Sequence, residues 1–275
     1  MAIAGVAPYH IVAIVNKSAI MTDAEGLLIT AALNQTLPDF CKAWGIPAVT
    51  AVYTARSKTA TNPLQIIILD DTDVPGALGY HDQKNDIPYS KVFVKTIQKY
   101  GGVILNAPNA VFTVASVAAH ELWEMLVDLR ANIWWMGTDN KMWAAEPGDP
   151  VQGNLYRITI KGTSTVVALS DYILPAWADP QAKAGPYNKL NTLTRPFSIA
   201  RGGYAIKMDM GRVSYVFGDR VPEWRRTLLE TSDHAEARGV DVKASTVLPP
   251  PPEEFPKKTE YTSEYLGKVP IVRSK

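Results

Sequence analysis

The segment His120-Glu121-Leu122-Trp123-Glu124-Met125-Leu126-Val127-Asp128 carries one imidazole and three carboxylates. At about 100° per residue a helix would bring His120, Glu124 and Asp128 into an arc of roughly 80°, with Glu121 slightly outside it. No lysine or arginine shares that arc. Three carboxylates this close repel one another unless a cation or a proton sits among them. The chemistry these residues imply is therefore binding of a divalent cation, with a neighbouring carboxylate available to move a proton.

Zinc peptidases with an H-E-x-x-H helix place two histidines at i and i+4, so that both converge on one ion while the intervening Glu acts as general base. Here the second histidine is replaced by Glu124. A Glu carboxylate still binds Zn²⁺, but the harder oxygen shifts preference toward Mn²⁺, Mg²⁺ or Ca²⁺. On this reading His120 and Glu124 are metal ligands and Glu121 is the base. Asp128 is a third ligand or a group that orients His120. Glu146, in the stretch Trp143-Ala144-Ala145-Glu146-Pro147-Gly148-Asp149-Pro150, is the distal ligand, with Asp149 competing for the role. His81 follows Gly79 in a segment that could edge a cleft.

Each of these residues also has a plainer reading. H-E-x-x-E suits a solvated helix face, Pro147-Gly148 is a turn signal that accounts for Glu146 and Asp149, and His81 reads first as a loop residue. Trp134, Trp135, Trp143 and Trp177 could line a cleft, although tryptophans near a core helix more often pack. Two features favour the metal reading. An acidic helix face is ordinarily solvated through i,i+4 salt bridges, and none is available here. Residues 114–119 (VASVAA) are mostly small and apolar, so the helix enters a core where carboxylates need partners.

The elements that must position these residues follow from periodicity and punctuation. Residues 10–15 and 46–54 read as strands, and 64–69 (LQIIIL) as a strand buried on both faces. Between the first two, Thr22 or Asp23 caps a helix that runs to about Trp44, is interrupted near Pro38 and is closed by Gly45. A Gly-rich stretch, 76–81, precedes a strand-like segment over 88–97. The central helix spans 111–129. After it come hairpins at 155–169 and 202–217, with an irregular apolar loop at 172–180 between them. A polar helix at 222–238 precedes a Pro-rich tail with Pro249 to Pro252 in a row. The expected organisation is one α+β domain over residues 1–240, with an α/β half to 130 and a β-rich half from 131, and an extended tail over 241–275.

The composition excludes several classes. With 28 basic and 27 acidic residues the chain lacks the footprint of a nucleic-acid binder. Cys41 is the only cysteine, so neither an intrachain disulfide nor a thiolate zinc cluster can form. The apolar N-terminal stretch has no basic leader and reads as a first strand rather than a signal peptide, which fits a cytoplasmic or virion location. No apolar run approaches the ~20 residues of a membrane span.

Three motifs occur in order: the helix from Ala119 through Asp128, the segment Glu146 through Val151, and Ala168-Leu169-Ser170-Asp171-Tyr172-Ile173-Leu174-Pro175-Ala176-Trp177. Together they resemble an uncharacterised metallopeptidase-like family of bacteria, plants and phages, with an S-H-E-x-x-E-x-x-x-D helix, an E-x-x-D-P-V segment and a V-S-x-F-x-x-P-x-W loop. Ala119 stands in place of the usual Ser, and Gln152 where an acidic residue is expected. The resemblance, over roughly residues 8 to 210, implies a zincin-like mixed sheet with a central H-E helix. The helix residues themselves are read as those of a metal-dependent, peptidase-like hydrolase, with Zn²⁺, or another divalent cation such as Ca²⁺ or Mn²⁺, as cofactor. The alternative is an assembly protein, such as a phage virion component, on a retired zincin scaffold. In that case the tail docks on a protein partner or drives self-assembly.

Overall fold

The computed structural model describes residues 9–85, 87–137, 139–231 and 271–272. The apolar run IVAIVN forms β1 (Ile11–Asn16). Helix α1 (Asp23–Trp44) opens on a capping box: the Thr22 hydroxyl accepts from the Glu25 N–H, and the Glu25 carboxylate accepts from the Thr22 N–H. It closes on Gly45 at φ 63°, a left-handed conformation that favours glycine. Contrary to the break expected at Pro38, α1 continues through it. Leu37, Phe40, Cys41 and Trp44 are all buried, and their packing holds the last turn despite the backbone hydrogen bond that proline cannot donate.

Then follow β2 (Thr50–Thr54), β3 (Leu64–Leu69), β4 (Gly79–Lys84), β5 (Ile87–Phe93), the short α2 (Val94–Lys99) and α3 (Val114–Val127). The first sheet has the order β2-β1-β3-β5-β4. Its first four strands are parallel, and β4 runs antiparallel at the edge. Side chains alternate across the sheet. Val12, Ile14, Leu64, Ile66, Ile68 and Val92 join α1 and α3 in the principal core, while Ala13, Val15 and Ile67 form a small cluster of their own. Part of the Gly-rich stretch 76–81 belongs to the edge strand β4, and the strand-like segment after it ends at Phe93 and turns into α2.

The second half contains β6 (Trp134–Met136), β7 (Met142–Ala144), the hairpin β8 (Leu155–Thr159) and β9 (Val166–Ser170), then β10 (Tyr204–Asp209), β11 (Arg212–Phe217) and α4 (Glu223–Thr231). Ile271–Val272 forms β12, which pairs in parallel with β6. The second sheet has the order β11-β10-β7-β6-β12. The fold is therefore mixed α+β, with a β-rich second half. The rest of the polar helix expected to residue 238, the boundary at 240 and the tail up to residue 270 lie outside the described residues. The four tryptophans pack rather than line a cleft: Trp134 and Trp177 are fully buried, and Trp143 and Trp177 meet edge to face at 6.1 Å.

Helix α3 is buried along its whole length, against β4 and β5 on one side and β9 on another. Its start is fixed by a second reciprocal cap. The Thr113 hydroxyl accepts from the Ser116 N–H at 2.8 Å, and the Ser116 hydroxyl accepts from the Thr113 N–H at 2.7 Å. The Thr113 hydroxyl also donates to the Ala168 carbonyl at 3.2 Å, tying α3 to β9. Thr113→Val keeps the shape and removes only the two bonds of the Thr113 hydroxyl, so we expect a loss of roughly 1–2 kcal/mol in urea unfolding.

Candidate metal centre

Six ionisable side chains converge where α3, β4 and residues 146–149 meet, all of them buried: His81, His120, Glu121, Glu124, Glu146 and Asp149. Helix α3 contributes His120, Glu121 and Glu124. Strand β4 contributes His81 because its residues alternate faces. Tyr80 points to the cluster with Tyr89 and Phe93, whereas Gly79 and His81 face α3. Opposite His81 in register stands Ser90, whose hydroxyl reaches the Met125 sulfur on α3 at 3.4 Å. Glu146 follows β7, and Asp149 opens a single 3-10 turn, Asp149–Val151.

The distances define two overlapping sets. His120 Nε2 lies 3.1 Å from Glu124 Oε1 and 3.3 Å from Asp149 Oδ1. His81 Nδ1 lies 3.6 Å from Glu124 Oε2 and 4.0 Å from Glu121 Oε2, while its Nε2 faces Glu146 Oε2 at 3.8 Å. Two glycines make room for this. A Cβ on Gly148 would sit 2.3 Å from His120 Nδ1, and one on Gly79 would sit 2.8 Å from Glu121 Oε1.

The electrostatics are those of a site built for positive charge. Burial works against a charged His120, but the Glu124 and Asp149 carboxylates outweigh it and hold the imidazole pKa well above its ordinary value. Burial alone would raise the Glu124 pKa, yet the two imidazoles bring it below the usual carboxylate range. Asp149 is pushed up to about 6 by burial and by the neighbouring Glu124 charge. Tyr204, at the start of β10, meets Asp149 as a hydrogen-bond donor, and burial together with the Asp149 and Glu124 charges keeps its phenol protonated.

The donor set fits a divalent cation. Ligand atoms about 2.1 Å from one ion stand roughly 3.0–3.5 Å apart, the spacing seen around Glu124. His81 Nε2 and His120 Nδ1 are buried and have no hydrogen-bond partner among the described residues. Either set, His120 with Glu124 and Asp149 or His81 with Glu121 and Glu124, brings three donor atoms within 4.8 Å of one another. Such buried His/Glu/Asp groups could hold a metal ion.

The expected ligands are therefore distributed unevenly. His120 and Glu124 meet, as the i,i+4 spacing requires. The third residue beside them is Asp149, and Glu146 stands instead beside His81. Asp128 has a different setting. It is the C-cap of α3, with φ −126° and ψ 71°, so the chain leaves its helical path there and the arc argument stops applying. Its two carboxylate oxygens accept from the N–H groups of Asn132 and Ile133, each at 2.9 Å. Sequence reasoning gave His81 a loop; only its place after Gly79 hinted at the cleft. These groups line a cavity of about 600 Å³, together with Tyr204, Arg225 and the edge-strand residues Gly79 and Tyr80.

No family model, no curated protein and no solved structure matches this chain. Among the described residues, no helix is long and apolar enough to cross a membrane.

Asp128 can be separated from the site by substitution. Asp128→Ala strips two backbone donors of a charged acceptor and should cost roughly 2–4 kcal/mol in denaturant unfolding. The metal content per folded chain should stay at the wild-type value. Loss of metal with stability intact would instead make Asp128 a ligand.

Proposed function

We propose that this protein is a metal-dependent hydrolase acting on peptide bonds, on a scaffold resembling the zincins. The observation that carries the reading is the buried meeting of His120, Glu124 and Asp149 at the floor of an open cavity, with Glu121 on the same helix. Two further features support it. The helix lies against a mixed sheet whose edge strand, β4, runs antiparallel. Gly79 and Tyr80 of that strand line the cavity, so an extended peptide could add to this edge strand through main-chain hydrogen bonds.

His120, Glu124 and Asp149 would hold the cation, zinc being the first expectation and Mn²⁺ or Ca²⁺ compatible with two carboxylates in the set. When bound, the cation supplies Lewis acidity toward the scissile carbonyl. Glu121 takes the proton from the attacking water and returns it to the leaving amine. The Tyr204 phenol fixes the orientation of Asp149 and stays protonated.

Metal analysis of the purified full chain, after chelation and reconstitution with Zn²⁺, Mn²⁺ or Ca²⁺, tests the reading. We expect at least one equivalent, and a rise in unfolding temperature on reconstitution because the ion binds only the folded site. Less than about a tenth of an equivalent of every metal would overturn it in favour of an assembly protein on a non-catalytic scaffold. Incubation of protein loaded with a single equivalent of metal with a mixture of unstructured peptides, read by mass spectrometry, should reveal cleavage. Glu121→Gln should lower that cleavage by roughly 10²-fold or more while keeping the ion held by His120, Glu124 and Asp149.

A further inference from the structure

The structure points to two cations rather than one, and we propose that Glu124 is the carboxylate they share. The inference rests on the metal-site reading above. One position is made by His120 Nε2, Glu124 Oε1 and Asp149 Oδ1, the other by His81 Nδ1, Glu121 Oε2 and Glu124 Oε2. The two donor sets have the same composition, one imidazole and two carboxylates. Each Glu124 oxygen faces a different imidazole, at 3.1 Å and 3.6 Å.

Three observations favour the second position. His81 is buried, with 8% of its surface exposed, and its Nδ1 is turned to two carboxylate oxygens at separations of 3.6 and 4.0 Å. These separations exceed those of a direct hydrogen bond, yet approach those of ligand atoms on opposite sides of one ion. Its other nitrogen, Nε2, is buried without a hydrogen-bond partner and faces Glu146. A carboxylate beside the distal nitrogen is the usual device that fixes the tautomer and ring orientation of a metal-binding histidine. Gly79 leaves the space beside Glu121 that any larger residue would fill.

Occupation of the second position turns Glu121 from a proton acceptor into a ligand. The same residue then links the number of ions bound to the capacity for hydrolysis.

The test is stoichiometry on the folded full chain. Apoprotein would be titrated with Zn²⁺ by calorimetry, and metal would be counted by mass spectrometry after gel filtration. We expect two equivalents for the wild type, one for His81→Ala and one for His120→Ala. Glu124→Ala should lose at least one equivalent and weaken what remains by 10-fold or more. If His81→Ala does not fold by circular dichroism, Glu121→Gln serves in its place and should also hold one. In the Mn²⁺-loaded wild type, electron paramagnetic resonance should show a coupled pair. One equivalent in the wild type, or two in every His81 and Glu121 variant, overturns the second position while leaving the first. No equivalent overturns both this inference and the metal reading beneath it.

Discussion

Glu124 lies between two imidazoles inside a helix with no exposed residue, and the surroundings of α3 follow from that placement. A carboxylate taken out of water needs compensating charge within a few ångströms. Glu121 is on the same turn and cannot help, because it carries the same sign. His120 supplies part of the compensation from the same helix, at 3.1 Å, and His81 adds a second imidazole from the edge strand. The glycines at 79 and 148 are the steric counterpart of this demand, since side chains at either place would collide with Glu121 or His120. The capping box at Thr113 matters for the same reason. It fixes where α3 begins, and so the rotation at which its polar residues meet β4.

The other wall of the site belongs to the second half of the chain. Asp149 is held by a loop with several backbone ties: Ala145 donates to Ile133, Ile173 to Pro147 and Ala200 to Pro150. Gly203 approaches so closely that a Cβ there would lie 2.4 Å from the Pro150 carbonyl. Tyr204 then reaches Asp149, and Arg225 of α4 donates to Gln152 just past the 3-10 turn. Gln152 stands where the family resemblance leads one to expect an acid. In this chain the position receives the half-buried Arg225 guanidinium, and a neutral amide oxygen is enough to accept its hydrogen bond. The site is therefore a product of both halves, and neither supplies a complete ligand set for His120.

Much of this was legible in the sequence for a definite reason. The i,i+4 relation of His120 and Glu124 is a property of any helix, and the buried parallel strand at 64–69 announces itself by an apolar run interrupted only at Gln65. What was not legible has physical causes too. Strand β4 reads Gly-Tyr-His-Asp-Gln-Lys, with little β-branched character, because an edge strand beside a polar site is shaped by the site rather than by propensity. Helix α3 carries a polar stripe, yet it is buried all round. Its polar stripe faces other polar groups instead of water, a distinction that periodicity cannot make. Asp128 shared the arc on paper, but the helix ends one residue earlier and turns the carboxylate to the backbone. Between Glu146 and Asp149 the choice depended on a three-residue turn whose direction local sequence does not encode.

The replacement of a second histidine by Glu124 looks at first like the loss of a zinc site. The geometry gives it a different meaning. An imidazole at position 124 would present one nitrogen toward His120 and would have no second donor suitably placed for His81. A carboxylate presents two oxygens spread widely on one carbon, and here one faces each histidine. It also brings the negative charge that two imidazoles and any cation near them require. A histidine there would bring none, and would leave His81 facing Glu121 and Glu146 alone. On this argument the departure from H-E-x-x-H is what allows the edge strand and the helix to share one site, and it ties the burial of α3 to the presence of His81.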